Sequence, residues 1–169
     1  MRRCFNNMKV YTLIRRQFLP VDITTAWNFF SSPANLARIT PAYMGFRILH
    51  LSGNGKMFAG QIIRYRLFVF PHLPFHWTTE ITHVAEPSYF VDEQRAGPYA
   101  LWHHQHHFTE VDGGIEMTDE LHYALPFGLL GRFFHAILVK KQLNTIFDYR
   151  FSALRSIFKS NEQSIRRTA

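Results

Sequence analysis

Cysteine is almost absent. Cys4 stands alone in 169 residues, which excludes an internal disulfide framework and fits a reducing, cytoplasmic compartment. Charge is scarce as well: 18% of residues are charged against 47% hydrophobic, a balance that excludes a chain without a packed core. No apolar run reaches the roughly 18 residues of a membrane-crossing helix. The N-terminus also lacks the apolar run of about 7–15 residues that a secretory signal requires. Acidic residues are the rarer sign, 12 against 19 Lys and Arg, for a formal charge of +7. The basic residues are dispersed, with small excesses at Arg2-Arg3, Arg15-Arg16, Lys140-Lys141 and Arg166-Arg167. Nucleic-acid recognition would concentrate them on one element, so neither nucleic acid nor stable membrane insertion is expected. Dispersed charge serves solubility and weak attraction to anionic surfaces. There is no nucleophile elbow and no phosphate-cradling Gly-rich loop.

What the chain has in excess is rings: 17 Phe, 7 Tyr and 3 Trp. They fit either an aromatic core or the wall of a cavity. The length suits one domain, and the patterned region spans 9–158. Residues 1–8 read as an N-terminal extension, with Met8 an alternative start, and 159–169 as a polar tail without regular structure.

Residues 9–19 alternate as a strand. Pro20 ends it, and Asp22 is placed to cap a short helix through Phe30. Pro33 opens a second short helix over 33–38. Extended segments then recur at 46–51, 60–70, 76–84, 89–94, 99–111 and 115–125, separated by Gly, Pro and Asp turn signals. Short turns between them imply antiparallel neighbours. From 128 to 158 the pattern becomes helical, with Leu130, Phe133, Phe134, Ile137, Leu138, Leu143, Ile146, Phe147, Phe151, Leu154 and Phe158 on one stripe. The expected fold class is α+β. A seven-stranded curved antiparallel sheet grips a long C-terminal helix, with two short helices after the first strand.

Several stretches sharpen this: Pro33-Ala34-Asn35-Leu36, Phe90-Val91-Asp92-Glu93-Gln94, Trp102–Phe108, Met117-Thr118-Asp119 and Leu125-Pro126-Phe127-Gly128. With them the chain resembles the START-like, SRPBCC or Bet v 1-like superfamily, and within it the bacterial ligand-binding, polyketide cyclase/dehydrase-like members. The resemblance covers about residues 9–158. It implies a helix-grip fold and a small hydrophobic ligand. It does not choose an activity, because one fold hosts many.

The densest candidate chemistry is His103, His104, His106 and His107. Strand alternation puts Trp102, His104, His106 and Phe108 on one face, which their flanking rings mark as the interior. Asp119 shares the parity of Met117, Leu121 and Tyr123. Counting back from the Asp112-Gly113-Gly114 hairpin sets it opposite His106 or His107. His104, His106 and Asp119 are thus candidates for a polar end of the pocket, as an orienting or a general acid–base group. Trp27, Phe30, Trp102, Phe108, Tyr123, Phe134 and Leu138 are the expected apolar lining. Two histidines at i, i+2 hold a metal only if a third ligand arrives, for which Asp119 and Glu93 are in range. The reading adopted assigns neither metal nor cofactor, and no identifiable protein partner. It takes the function to be non-covalent binding of a lipid, polyketide or aromatic metabolite. Cyclase or dehydratase chemistry, and a regulatory module with a vestigial cavity, are the alternatives.

Overall fold

A computed structural model describes residues 8–70 and 73–168, with side chains for all of these except 70, 134 and 160–168. Seven strands pair antiparallel in the order β1-β7-β6-β5-β4-β3-β2: β1 (Tyr11–Leu19), β2 (Arg47–Leu51), β3 (Gln61–Phe70), β4 (Leu73–Ala85), β5 (Tyr89–Ala96), β6 (Leu101–Val111) and β7 (Gly114–Ala124). The order follows from the turns. β2 to β7 form successive hairpins, and β1 returns to the free side of β7, where Leu19 pairs with Ile115. At the β6–β7 hairpin Gly113 takes φ 79°, which only glycine adopts without strain. That tight turn leaves no room for slippage, and His106 comes directly opposite Asp119.

α1 (Ile23–Phe30) begins where expected. The Asp22 side chain accepts hydrogen bonds from Thr25 N at 2.8 Å and Thr25 Oγ1 at 2.7 Å, satisfying a helix-start N–H. Two 3-10 segments follow, Pro33–Ile39 and Ala42–Met44, so the second expected helix is present in this tighter form. α1 buries Ala26, Trp27, Phe29 and Phe30 against β6, β7 and the C-terminal helix, sealing one end of the sheet.

The C-terminal helix carries the main departure from expectation. α2 (Gly128–Phe134) enters a π turn, His135–Val139, before α3 (Lys140–Thr168). The wider turn shifts the inward face. Gly131, His135, Val139, Leu143 and Phe147 are buried at steps of four, whereas an α-helical stripe mixes threes and fours. Leu138, expected to line the interior, is therefore exposed at 43%, and Leu130, Phe133 and Ile137 face outward with it. The Phe134 side chain lies outside the described residues. At the far end the backbone stays helical to Thr168, past the end expected at 158, since 159–168 contains no Gly or Pro to stop it.

His135 takes the inward place that the stripe reserved for a hydrophobic residue. Its Nε2 lies 2.9 Å from the Tyr123 hydroxyl, and its ring stacks on Tyr11 at 3.4 Å. Burial lowers its pKa from 6.5, and the nearby Lys140 and Lys9 lower it further. The unfolded chain thus binds this proton more readily than the folded one. The contribution is complete above the ordinary histidine value and is lost as pH falls below it toward the folded value. Lowering pH from about 7.5 to 5.5 should reduce Tm less in His135→Gln than in the parent. Parallel Tm–pH curves for the two proteins would exclude this account.

No helix among the described residues is long and apolar enough to cross a membrane.

Candidate functional site

The core does not close completely. One cluster fills the end under α1, and a second lies on β3 and β4 around Ile63, Leu67, Trp77 and Ile81. A third sits beneath the π turn around Leu121, Tyr123 and Val139. Between the first two, under α3, a cavity of about 170 Å³ remains. Its wall is mainly apolar, with Leu36, Ile63, Trp77, Ile146 and Phe147 among the lining residues. Asp92, His104, His106 and Arg150 line it too and supply its charged groups.

Three adjacent strands and α3 build the charged end. Asp92 on β5 pairs in register with His104 on β6, and His106 pairs with Asp119 on β7. Each imidazole lies between the same two carboxylates. Asp92 Oδ2 is 3.4 Å from His104 Nδ1 and 3.0 Å from His106 Nε2. On the other side Asp119 Oδ1 is 3.2 Å from His104 Nε2 and 2.7 Å from His106 Nδ1. The contacts to Asp119 are close but misaligned, so His104 Nε2, His106 Nδ1 and Asp119 Oδ1 complete no hydrogen bond there. The Trp102 indole N–H donates to Asp92 Oδ1 at 3.3 Å. From α3 the Arg150 guanidinium comes within 3.8 Å of Asp119.

Burial opposes every charge here, and the neighbours reverse it. Desolvation raises both carboxyls, but contact with His104 and His106 outweighs it and holds Asp92 and Asp119 below the usual carboxylate range, with Arg150 adding at Asp119. Desolvation likewise lowers His104, and the Asp119 and Asp92 carboxylates more than reverse it. The result is a desolvated ionic cluster at the wall of an apolar cavity, a setting in which proton transfer or metal ligation is chemically accessible.

The structure brings His104, His106 and Asp119 together, as parity and hairpin counting anticipate. Phe30, Trp102, His104 and His106 line the cavity, while Asp119 sits behind the two histidines and does not. Trp27 and Phe108 are buried in the filled end, and Tyr123 packs under the π turn. Glu93, considered as a metal donor, points to the outer face. There it contacts His103 at 2.9 Å and Arg95 at 3.0 Å, and Asp92 takes the inward place instead.

Two features were missed, and one choice was left open. The β3 and β4 wall follows the same period of two, at Ile63, Tyr65, Leu67 and at Trp77, Thr79, Ile81. Strand alternation puts one of Asp92 and Glu93 inward but does not choose between them, because Phe90 and Val91, of opposite parity, are both buried. Arg150 is legible in retrospect: Leu143, Phe147, Arg150 and Leu154 continue one helical face.

No family model and no curated sequence matches the chain. Solved structures do. Norcoclaurine synthase from Thalictrum flavum, in complex with dopamine and hydroxybenzaldehyde, is 12% identical, with a TM-score of 0.66 over 93% of this chain and 92% of that one. A protein of Chromobacterium violaceum is 11% identical, with a TM-score of 0.67 over 88% and 97%. A major latex-like protein of Panax ginseng is 10% identical, with a TM-score of 0.63 over 88% and 97%. The chain has the Bet v 1-like, helix-grip fold.

Proposed function

We propose that the protein binds a small, mostly apolar molecule carrying an oxygen acceptor, in the cytoplasm and without covalent attachment, in the cavity between sheet and helix. The observation that carries this is the cavity itself. An apolar wall with charge gathered at one end is the usual form of a small-ligand site, and a vestigial pocket would be filled by the rings that line it. The acceptor is inferred from donors left over. Trp77 Nε1 and Arg150 Nε are buried and make no hydrogen bond among the described residues, although both residues line the cavity. That norcoclaurine synthase is solved with two small aromatic compounds supports the same size class.

A second reading has a specific observation behind it. His104, held between two carboxylates at the cavity wall, has the surroundings of a general acid–base group, as cyclase or dehydratase chemistry would need. Native mass spectrometry of protein from its own host, with displacement of a bound apolar dye by aromatic and fatty acids, tests the binding reading. Uptake should fall at least about tenfold in Ile63→Trp, which puts an indole into the cavity, while the melt stays cooperative. Folded parent protein that takes up neither dye nor acids would refute it.

A further inference from the structure

We propose that Asp92, His104 and His106 form a binding site for a divalent first-row transition-metal ion at the charged end of the cavity, with Asp119 holding the two imidazoles from behind. The inference stands whether or not the cavity takes an organic ligand.

The three side chains offer one donor atom each within 4.8 Å of one another. Metal–ligand bonds of about 2.0–2.2 Å meeting at about 90–110° place neighbouring donors about 2.9–3.5 Å apart. Asp92 Oδ2 lies at 3.4 Å from His104 Nδ1 and 3.0 Å from His106 Nε2, inside that window. The residues are fixed from outside the set. The Trp102 indole holds the other oxygen of Asp92, and His106 stacks on Phe90 at 4.2 Å.

The opposite side of each ring faces a carboxylate, as a metal-bound imidazole requires. A metal-bound imidazole must carry its proton on the far nitrogen, and a carboxylate usually receives it. Here the far nitrogens are His104 Nε2 and His106 Nδ1, and both face the same oxygen, Asp119 Oδ1. As the rings stand these contacts are short but not aligned as hydrogen bonds, so Asp119 supports the two imidazoles by proximity and charge. Charge permits a cation: Asp92 and Asp119 against the single guanidinium of Arg150 leave one net negative charge when the imidazoles are neutral, the form that ligates. Two imidazole nitrogens and one carboxylate oxygen suit zinc, iron(II), cobalt or nickel rather than calcium or magnesium, which favour oxygen alone. All three residues line the cavity, so further coordination positions fall on its side.

The test uses the full chain without an affinity tag, stripped with a chelator and titrated with cobalt(II) and zinc(II). Calorimetry and cobalt absorption should both saturate at one equivalent, and the ring protons of His104 and His106 should be the histidine signals most shifted and broadened by cobalt. Asp92→Asn, close in shape, should abolish saturation at one equivalent, and Asp119→Asn should weaken it about 10–100-fold. The NMR signature in the parent keeps the test decisive even if a variant unfolds. No uptake at millimolar metal overturns the proposal. So does binding that survives in Asp92→Asn with shifts at His103 and His122, which would move the ion to the outer face of the sheet.

Discussion

Asp119→Ala should cost about 3–5 kcal/mol of unfolding free energy, because it removes the anion from a buried ionic cluster and leaves its partners behind. The Asp119 side chain is 7% exposed, with His104 at 3.2 Å, His106 at 2.7 Å and Arg150 at 3.8 Å. Without it, Asp92 alone faces both imidazoles. Arg150, itself 12% exposed, loses its carboxylate and cannot shed its proton. Asp119→Asn keeps the shape and one acceptor, so it should cost less, about 1–3 kcal/mol. Asp148 is the control. It also meets an arginine, Arg15 at 3.9 Å, but its side chain is 73% exposed and water already screens the pair. Asp148→Ala should stay within about 0.5 kcal/mol of the parent. Urea melts of the three variants check the order Ala, then Asn, then the Asp148 control. If Asp119→Ala melts with the parent, the cluster is not the desolvated ionic group that its geometry describes.

The residues of this cluster were legible in the sequence to different depths, and the reason is periodicity. Side chains of a strand alternate without drift, so ring-flanked His104 and His106 could be placed inward. A short hairpin with Gly113 at φ 79° then fixed Asp119 across from them. The same rule fails on β5, where both faces near Asp92 carry buried apolar residues and parity has nothing to distinguish. It also says nothing of where along an inward face the packing stops. Trp27, Phe108 and Tyr123 were therefore expected at the cavity and lie in filled core, while Ile63 and Trp77 line it unanticipated. On the helix, a pattern of threes and fours presumes α geometry, and the π turn at His135–Val139 rotates everything before it. Leu138 was misplaced for that reason alone. Beyond the turn the α rule holds again through Leu143, Phe147, Leu154 and Phe158. Phe151, expected on the same stripe, is 44% exposed because Arg150 and Leu154 take the inward places beside it.

Phe158→Ala should cost about 3–5 kcal/mol, the range for truncating a fully buried phenylalanine that leaves a cavity. Phe158 is 1% exposed, and its ring lies 5.3 Å from Phe29 and 6.4 Å from Phe30, centroid to centroid. Those two rings belong to α1, so Phe158 pins α3 to the element that seals the end of the sheet. Collapse to fill the void is limited. Phe30 is also held against Phe108 at 5.1 Å, and Phe29 against Phe30 at 5.2 Å. Phe30 also lines the ligand cavity, so the void left by Phe158 would adjoin the space inferred to hold the ligand. The variant should therefore show two linked effects: a large stability loss, and looser retention of any apolar ligand once protein is kept folded well below its midpoint. Phe151 separates packing from mere aromatic content. It lies on the same helix but is 44% exposed, and Phe151→Ala should change stability by no more than about 0.5 kcal/mol. If Phe158→Ala costs no more than Phe151→Ala in urea melts, α3 is not anchored at this end. The cavity would then be open there rather than closed.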